Sequence, residues 1–592
     1  MSRKCIVSSL SSNMSNTVQI EVNGRSVDAA QGEMLLHALR RIGIDVPTLC
    51  HYEGLSPAGA CRICVVEVEG QRSLVPTCAF PVSAGMKVKT QTDRVVDARR
   101  TIVELLLADH PDDCLFCERN ANCQLRELAE AFGIRRRRFI GQRESYPVDS
   151  AGESIVRESE KCIKCGKCVR VCDEIQGVAC IDFINRGSKT IVGTAFDEGL
   201  NVSSCVNCGQ CVVCCPTGAL VAKSHVGRVV AALRDPDLHV VVQHAPSVSI
   251  ALGEEFGFAA GTDVMGKMHT VLRNLGFDAV FDTSFSADLT IMEEASEFVD
   301  RVKNNGVLPM FTSCSPGWVK YVETFYPQNI PNLSTCKSPQ GMLGAVIKTY
   351  YAEKKNIDPK NIYSVAVMPC TAKKFEADRP ELGRGGCQDV DAVLTTRELA
   401  QLIRRFNLDF NVQSESADSP FGVRSSAGKI FGTTGGVMEA AVRTAYYFMT
   451  GNELGNLKVE AVRGLDGIKE AKLNIDGIEV GIAVVNGLGN AKKLLDQINA
   501  GTRTDIHFVE IMTCPGGCVG GGGQPYGTDI GKITARAREL YSIDDTETLR
   551  TSHTNPEIIQ IYNEYLGEPN SHKAHELLHT HYQKRETLTL HS

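Results

Sequence analysis

The readable pattern begins at residues 17–22, TVQIEV, where apolar and polar residues alternate as in a strand with one buried face; NGRSV follows as a turn and a second strand. GEMLLHALRRIGI then spaces its apolar residues as a helix does. From about residue 237 the pattern changes. DLHVVVQHAPSV, IYSVAVMPC and EVGIAVVNG are short apolar runs suited to buried strands, and helical stretches such as TIMEEASEFVDRV and PQGMLGAVIKTYYAEKK alternate with them. That alternation predicts an α/β domain with a largely parallel sheet and with its site at the strand ends.

Length multiplies the domains. The 592 residues are 43% hydrophobic and 22% charged, an ordinary globular composition. The net charge of −7 gives no reason to expect a nucleic acid partner, and no stretch approaches the roughly 18–20 apolar residues of a membrane helix. The N-terminus, MSRKCIVSSLSSNMSN, is basic, serine-rich and free of acids before Glu21. It reads as a floppy tail, or as an early start with Met14 the true one; an organellar targeting peptide is the alternative. With no twin-arginine or secretory signal, the expected location is the cytoplasm.

Cysteine changes the picture most. Of 24 cysteines, 17 lie between Cys50 and Cys215, most of them in short repeated spacings. A chain this long needs no disulfide staples, so such spacings indicate thiolates on metal in a reducing compartment. Cys50, Cys61, Cys64 and Cys78 form a C-x10-C-x2-C-x13-C set among short strands. The set resembles a plant-type ferredoxin, which implies a β-grasp fold and one [2Fe–2S] cluster. Small Gly59 and Ala60 let backbone approach the sulfides. His110, Cys114, Cys117 and Cys123 follow as H-x3-C-x2-C-x5-C. Iron or tetrahedral zinc accepts those residue types, and the redox sites on either side favour a [4Fe–4S] cluster with one imidazole ligand. Between this set and the next, GIRRRRFIG is a solvated basic face or a docking patch for an acidic electron carrier.

CIKCGKCVRVC and CVNCGQCVVCCP each read C-x2-C-x2-C-x3-C. This is the two-cluster bacterial ferredoxin signature, in which the fourth cysteine of each run serves the other cluster. Cys162, Cys165, Cys168 and Cys215 are thus assigned to one [4Fe–4S] cluster, and Cys205, Cys208, Cys211 and Cys172 to the second. Cys180 and Cys214 are left as packed thiols. A row of four one-electron centres is a wire.

Three segments of the second half carry thiols or polar residues at strand ends: FTSCSPGWV, VMPCTAKKFEADRP and EIMTCPGGCVGGGGQP. Together they resemble the catalytic domain of [FeFe]-hydrogenases, and the wire resembles the family's multi-cluster members, most of all catalytic subunits of NAD(P)-linked, electron-bifurcating complexes. The resemblance implies reversible oxidation of H2 and reduction of protons at an H-cluster, a [4Fe–4S] cubane joined through a thiolate to a di-iron unit with CO, CN⁻ and a bridging dithiolate. It implies cubane ligands at Cys370, Cys514 and Cys518, with Cys518 bridging. Lys373 would hydrogen-bond one cyanide and Pro246, Ser247 and Gln340 the other, while Met368 and Met512 pack against the di-iron unit. Protons would pass from Cys314 through Glu294, Ser334 and Glu297 to Arg301.

In the family pattern two adjacent cysteines stand where this chain has Cys314 and Ser315. The first relays protons and the second is the cubane's fourth ligand. Ser315 as an alkoxide ligand, an open iron site, or Cys314 swinging in as the ligand all fit; the first two keep the proton relay.

The expected division is a tail, 1–16; a [2Fe–2S] ferredoxin-like domain, 17–95; a His/Cys3 module, 96–145; a two-[4Fe–4S] ferredoxin domain, 146–225; an α/β catalytic domain, 236–540; and a wrapping segment, 541–592. The fold class is multidomain, α+β followed by α/β. Expected partners are flavin- and NAD(P)-binding subunits or a ferredoxin, since no dinucleotide fingerprint lies between a strand and a helix, and dedicated hydrogenase maturation proteins. The competing readings are an H2 sensor and a non-catalytic electron-transfer or cluster-assembly protein. Cys370 and the CPGGC segment weigh against a mere carrier, and the retained Cys314 against a sensor.

Overall fold

The computed structural model describes residues 17–141 and 143–587. The expected tail, with its targeting and start-site readings, lies outside the described residues. Thr17–Val22 pairs antiparallel with Arg25–Ala30 through a turn in which Asn23 and Gly24 both have positive φ (51° and 82°), as a two-residue hairpin demands. Three further strands complete a mixed five-stranded sheet. Ile20 and Val22 turn inward onto Leu35, Leu36 and Leu39 of the helix Leu35–Arg41.

The helix Asp93–Ala108 is capped by the Thr92 hydroxyl, which accepts from Val95 N–H, and delivers His110 two residues past its end. The ferredoxin repeat is a repeat in geometry as well as in sequence. Lys164 and Asn207 have φ of 54° and 61°, and Gly166 and Gly209, two residues on, have 70° and 69°. Each pair turns a cysteine loop into the helix that follows, Lys167–Arg170 and Gln210–Cys214.

Two four-stranded sheets form the heart of the second half. In the first, Ala279–Asp282, His239–His244, Ile362–Met368 and Ala392–Thr395 are all parallel. In the second, Met310–Phe311, Phe508–Met512 and Ile478–Asn486 are parallel, and Ile468–Ile475 closes the edge as an antiparallel hairpin strand. The helix Thr283–Lys303 is buried continuously from Thr283 to Ala295, carboxylates included. A buried carboxylate must find partners, and Asp288 takes four, from Ser425 N–H, the Ser425 and Ser552 hydroxyls and the Asn555 amide.

The divisions expected at 95/96 and 540/541 each fall inside a helix, Asp93–Ala108 and Ile530–Thr546. Motif spacing marks where ligands begin, not where a helix does. Ile530–Thr546 is pinned by charge: the buried Arg443 guanidinium bonds Asp544 through both nitrogens at 2.9 Å and Glu439 at 2.6 Å, and Arg463 reaches the same two carboxylates. No described helix is long and apolar enough to cross a membrane.

Arg443→Met strands Glu439 and Asp544 without their central cation, and is expected to cost about 3–5 kcal/mol, read as a lowered melting temperature of the catalytic domain. Hydrogen bonds and charge from the arginines hold Asp544 well below the usual carboxylate range. Its stabilisation is therefore full above the unfolded value and is lost as pH falls through the depressed one, so the wild type should lose this advantage over the variant only in strong acid.

Candidate active site

Because every strand of the two sheets but the edge strand Ile468–Ile475 runs parallel to its neighbours, they deliver their C-terminal ends to one side. Past those ends lie Pro246 and Ser247, Cys314 and Ser315, Cys370, and Cys514, and all six line one pocket of about 810 Å³ together with Gln340, Met368, Lys373, Met512 and Cys518. Cys518 is reached through Gly516 and Gly517, at φ 75° and 90°; a Cβ on Gly517 would lie 2.7 Å from Thr434 N, so only glycine lets the loop close here.

Burial raises the pKa of Cys370, Cys514 and Cys518, and for Cys514 and Cys518 repulsion from the neighbouring thiols adds to it, lifting Cys518 to about 12. Three thiols that resist ionisation but face one space suit soft metal, whose charge reverses that preference. Two polar atoms in the same wall, Ser247 Oγ and Gln340 Oε1, are buried without partners. Sulfur donors and bare polar groups together fit a large iron–sulfur cofactor. The Gln340 amide donates to Lys373 O and Glu376; as placed it offers the pocket an acceptor.

Ser315 sits at the N-cap of the helix Pro316–Phe325, yet its side chain does not cap that helix. Its Oγ lies 2.8 Å from Thr513 Oγ1 and accepts from Thr513 N–H at 3.3 Å, beside Cys514. The Lys373 ammonium donates to Ser338 Oγ at 2.7 Å, Glu376 at 2.8 Å and Cys314 O at 3.2 Å. Neither Glu376 nor Thr513 stood out in the sequence, though Glu376 is one helical turn from Lys373.

From Cys314 outward the polar groups form a line. Burial, then the Glu294 charge, pushes the Cys314 thiol up. Both Glu294 carboxylate oxygens are buried without a partner in hydrogen-bonding range. Burial, with the like charge of Glu297, lifts this carboxyl to about 8, while the Ser334 hydroxyl and the Ser313 N–H moderate the rise. Ser334 Oγ donates to Glu297 at 2.9 Å, and Glu297 accepts from Arg301 at 2.6 Å.

Three of the four ligand sets of the N-terminal third share a hydrophobic core or a pocket. Cys50, Cys61, Cys64 and Cys78 are all buried in one hydrophobic core. His110 is held neutral by burial, with a pKa of about 4, and its Nδ1 has no partner, the state in which imidazole binds metal. Burial raises the thiols of Cys117 and Cys123, and Cys114 is exposed beside the protruding Leu115 and Phe116. Cys162, Cys165, Cys168 and Cys215 line one pocket; Cys172, Cys205, Cys208 and Cys211 line another. Cys180 is no ordinary packed thiol. It lines that second pocket with its sulfur 3.6 Å from Cys172 Sγ, a neighbour that the repeat spacing could not indicate because it falls outside both runs. Each cysteine among the described residues is free.

The sites touch in sequence. Cys61, His110 and Cys162 line one cleft, and Cys208 lines both the second ferredoxin pocket and the catalytic one. At that joint Thr371 Oγ1 donates to Asn207 O at 2.7 Å and Gln210 Nε2 to Gly520 O at 2.9 Å.

Comparison with known proteins agrees with this order. Residues 238–522 match the family model described as iron only hydrogenase large subunit, C-terminal domain, and 530–585 the iron hydrogenase small subunit. Residues 15–93 match a 2Fe-2S iron-sulfur cluster binding domain, 99–138 an NADH-ubiquinone oxidoreductase-G iron-sulfur binding region, and 152–221 the ferredoxin-like domain of NADH-quinone oxidoreductase subunit 3. The chain is 49% identical to the NADP-reducing hydrogenase subunit HndD of Solidesulfovibrio fructosivorans, over 96% of this chain and 99% of that one. It is 42% identical to iron hydrogenase 1 of Clostridium pasteurianum, over 95% and 100%. A solved [FeFe]-hydrogenase HydA1 from Chlamydomonas reinhardtii superposes with a TM-score of 0.55 at 45% identity, covering 61% of this chain and 99% of that one. A cytosolic Fe-S cluster assembly factor of Xenopus tropicalis is 31% identical over 66% of this chain, so the enzyme reading prevails over the assembly one. The chain belongs to the iron-only, or [FeFe], hydrogenases, and is a hydrogenase whose H-cluster domain follows [2Fe–2S] and [4Fe–4S] domains.

Proposed function

We propose that this hydrogenase exchanges electrons between H2 and NADP(H)-linked partner subunits through its four accessory clusters, entering or leaving the catalytic pocket beside Cys208. The position of Cys208, in the wall of both pockets, carries the reading. The full-length likeness to an NADP-reducing hydrogenase subunit supports the partner, because this chain has no dinucleotide fingerprint of its own.

Cys370, Cys514 and Cys518 would hold the cubane, with Ser315 at its fourth position, and the H-cluster, when bound, supplies the iron at which H2 is split and protons are reduced. This chain's residues do the rest. Lys373, anchored by Ser338 and Glu376, presents positive charge to the pocket. Ser247 offers a free hydroxyl, and Met368 and Met512 close the wall against water. Cys314, Glu294, Ser334 and Glu297 move the proton, since each holds an exchangeable hydrogen and the line runs from the pocket to a half-buried carboxylate. Arg301, which donates to Glu297 at 2.6 Å, orients that carboxylate rather than relaying.

Infrared spectra of anaerobically matured protein test the core of this reading. Bands from iron-bound CO and CN⁻ that shift when argon is replaced by H2 are expected, and their absence from iron-loaded protein would reduce the chain to an electron carrier. H2-dependent NADP⁺ reduction is expected only after the partner subunits are added.

Glu294→Gln should lower turnover by about 100-fold or more while leaving those bands in place. It also removes a pH dependence of stability. A carboxyl raised to about 8 in the fold stabilises fully below its unfolded value, and that contribution drains away as pH rises from there to about 8. Between the ordinary carboxylate range and pH 8 the variant's melting temperature should therefore fall less than the wild type's, and above about pH 8 the two should run parallel.

Ser315→Cys should give an all-thiolate cubane and move its midpoint potential. A cubane spectroscopically unchanged in the variant would remove Ser315 from the ligand position.

A further inference from the structure

Where the C-terminal segment returns across the catalytic domain, Cys336 and His579 are partners in an antiparallel bridge, which sets their side chains next to each other. Glu297 approaches the same spot from the helix Thr283–Lys303. A Glu297 carboxylate oxygen, the Cys336 sulfur and a His579 ring nitrogen all lie within 4.8 Å of one another. An oxygen, a sulfur and a nitrogen donor converging from three segments form a constellation that the iron sites do not use. We propose that Glu297, Cys336 and His579 bind a borderline-soft divalent cation, zinc above all, and that the cation stops hydrogen turnover by occupying the carboxylate at the outer end of the proton line.

The surroundings suit a cation. Today the Cys336 thiol donates to Glu297 Oε2 at 3.7 Å; on binding, that proton leaves to solvent and the metal takes its place. His579 Nε2 lies 3.0 Å from Glu293 Oε2. Glu293 is itself fixed by the Tyr562 hydroxyl and, at 2.8 Å, by Asn570 N–H. A carboxylate behind a metal-binding imidazole orients the ring and strengthens it as a donor. Nδ1 meets the Thr335 hydroxyl at 2.7 Å, a partner that can rotate away and so free this nitrogen. Glu297 would loosen its pairing with Arg301, but Arg301 keeps the carbonyls of Val307, Pro331, Asn332 and Leu333. Access is short, because the Glu297 side chain retains 12% exposure and Thr335 beside it is half-buried.

The inhibitory part rests on Glu297 as a proton carrier; the binding part does not. Anaerobic holoenzyme titrated with zinc chloride is followed by zinc-edge X-ray absorption and by H2-driven dye reduction. The expected zinc has one sulfur at about 2.3 Å with nitrogen and oxygen near 2.0–2.2 Å. Cys336→Ser and His579→Gln should each weaken its binding by about tenfold or more, and turnover, measured against each protein's own zinc-free rate, should fall with occupancy in the wild type alone. Zinc without sulfur, no uptake, or uptake as tight in both variants as in the wild type overturns the site. Zinc held as expected with turnover untouched upholds the site and overturns Glu297 as the proton carrier.

Discussion

Everything in this molecule that concerns electrons converges on the closeness of two glycines. A Cβ on Gly522 would lie 2.3 Å from Cys208 O and 2.8 Å from Gly209 Cα, and one on Gly209 would lie 2.3 Å from Thr371 Oγ1. Such a joint excludes any side chain from the seam between the ferredoxin repeat and the catalytic domain, so Cys208 can stand in both pockets. Electron transfer weakens steeply with distance, and a spacer here would isolate the wire from its terminus. The run GGGG, which in other settings suggests a phosphate loop, serves here for backbone-to-backbone contact. Its members Gly521 and Gly523 likewise crowd Pro369 O beside Cys370.

Around that seam the molecule separates its two traffics. Thiols, which bind soft metal, occupy the ferredoxin side and the pocket floor. Carboxylates and hydroxyls, which exchange protons, occupy one face of the buried helix Thr283–Lys303. The helix that buries Glu294 without partners also buries Asp288 with four. Burial raises both carboxyls, but Asp288 is fully paired and serves architecture, whereas Glu294, with the like charge of Glu297 beside it, is lifted to about 8. Unpaired burial is costly, and the extensive core of this domain tolerates it.

Much of this was legible in the sequence for a physical reason. Cysteine ligands come in short loops, so their spacing survives in one dimension, and the set Cys50 to Cys78 and the two ferredoxin runs each gather in space as well. Apolar runs such as IYSVAVMPC likewise announce parallel strands, because burial on both faces demands continuous apolar residues. What stayed hidden depends on distant segments meeting. Cys180 belongs to neither run, yet faces Cys172. His579 lies more than two hundred residues from Thr335 and Cys336, and only the return of the chain joins them. The divisions at 95/96 and 540/541 were misjudged because a helix can outlast the motif that starts or follows it. Ser315 was singled out by its position after Cys314, but its bond to Thr513 needed the second sheet.

The Cys336–His579 bridge also has a consequence in time. A ribosome releases residues in order, and both sheets, the cysteine sets and the helix bearing Glu294 are complete before the last segment emerges. Until Leu578 and His579 settle onto Lys337 and Cys336, with Thr580 N–H bonded to Thr335 O at 2.7 Å, the flank beside Glu297 and Cys336 lies open. The nascent enzyme thus has its metal-binding interior before it has its outer wall, which leaves an interval in synthesis when a bulky cofactor can enter a chain not yet closed behind it.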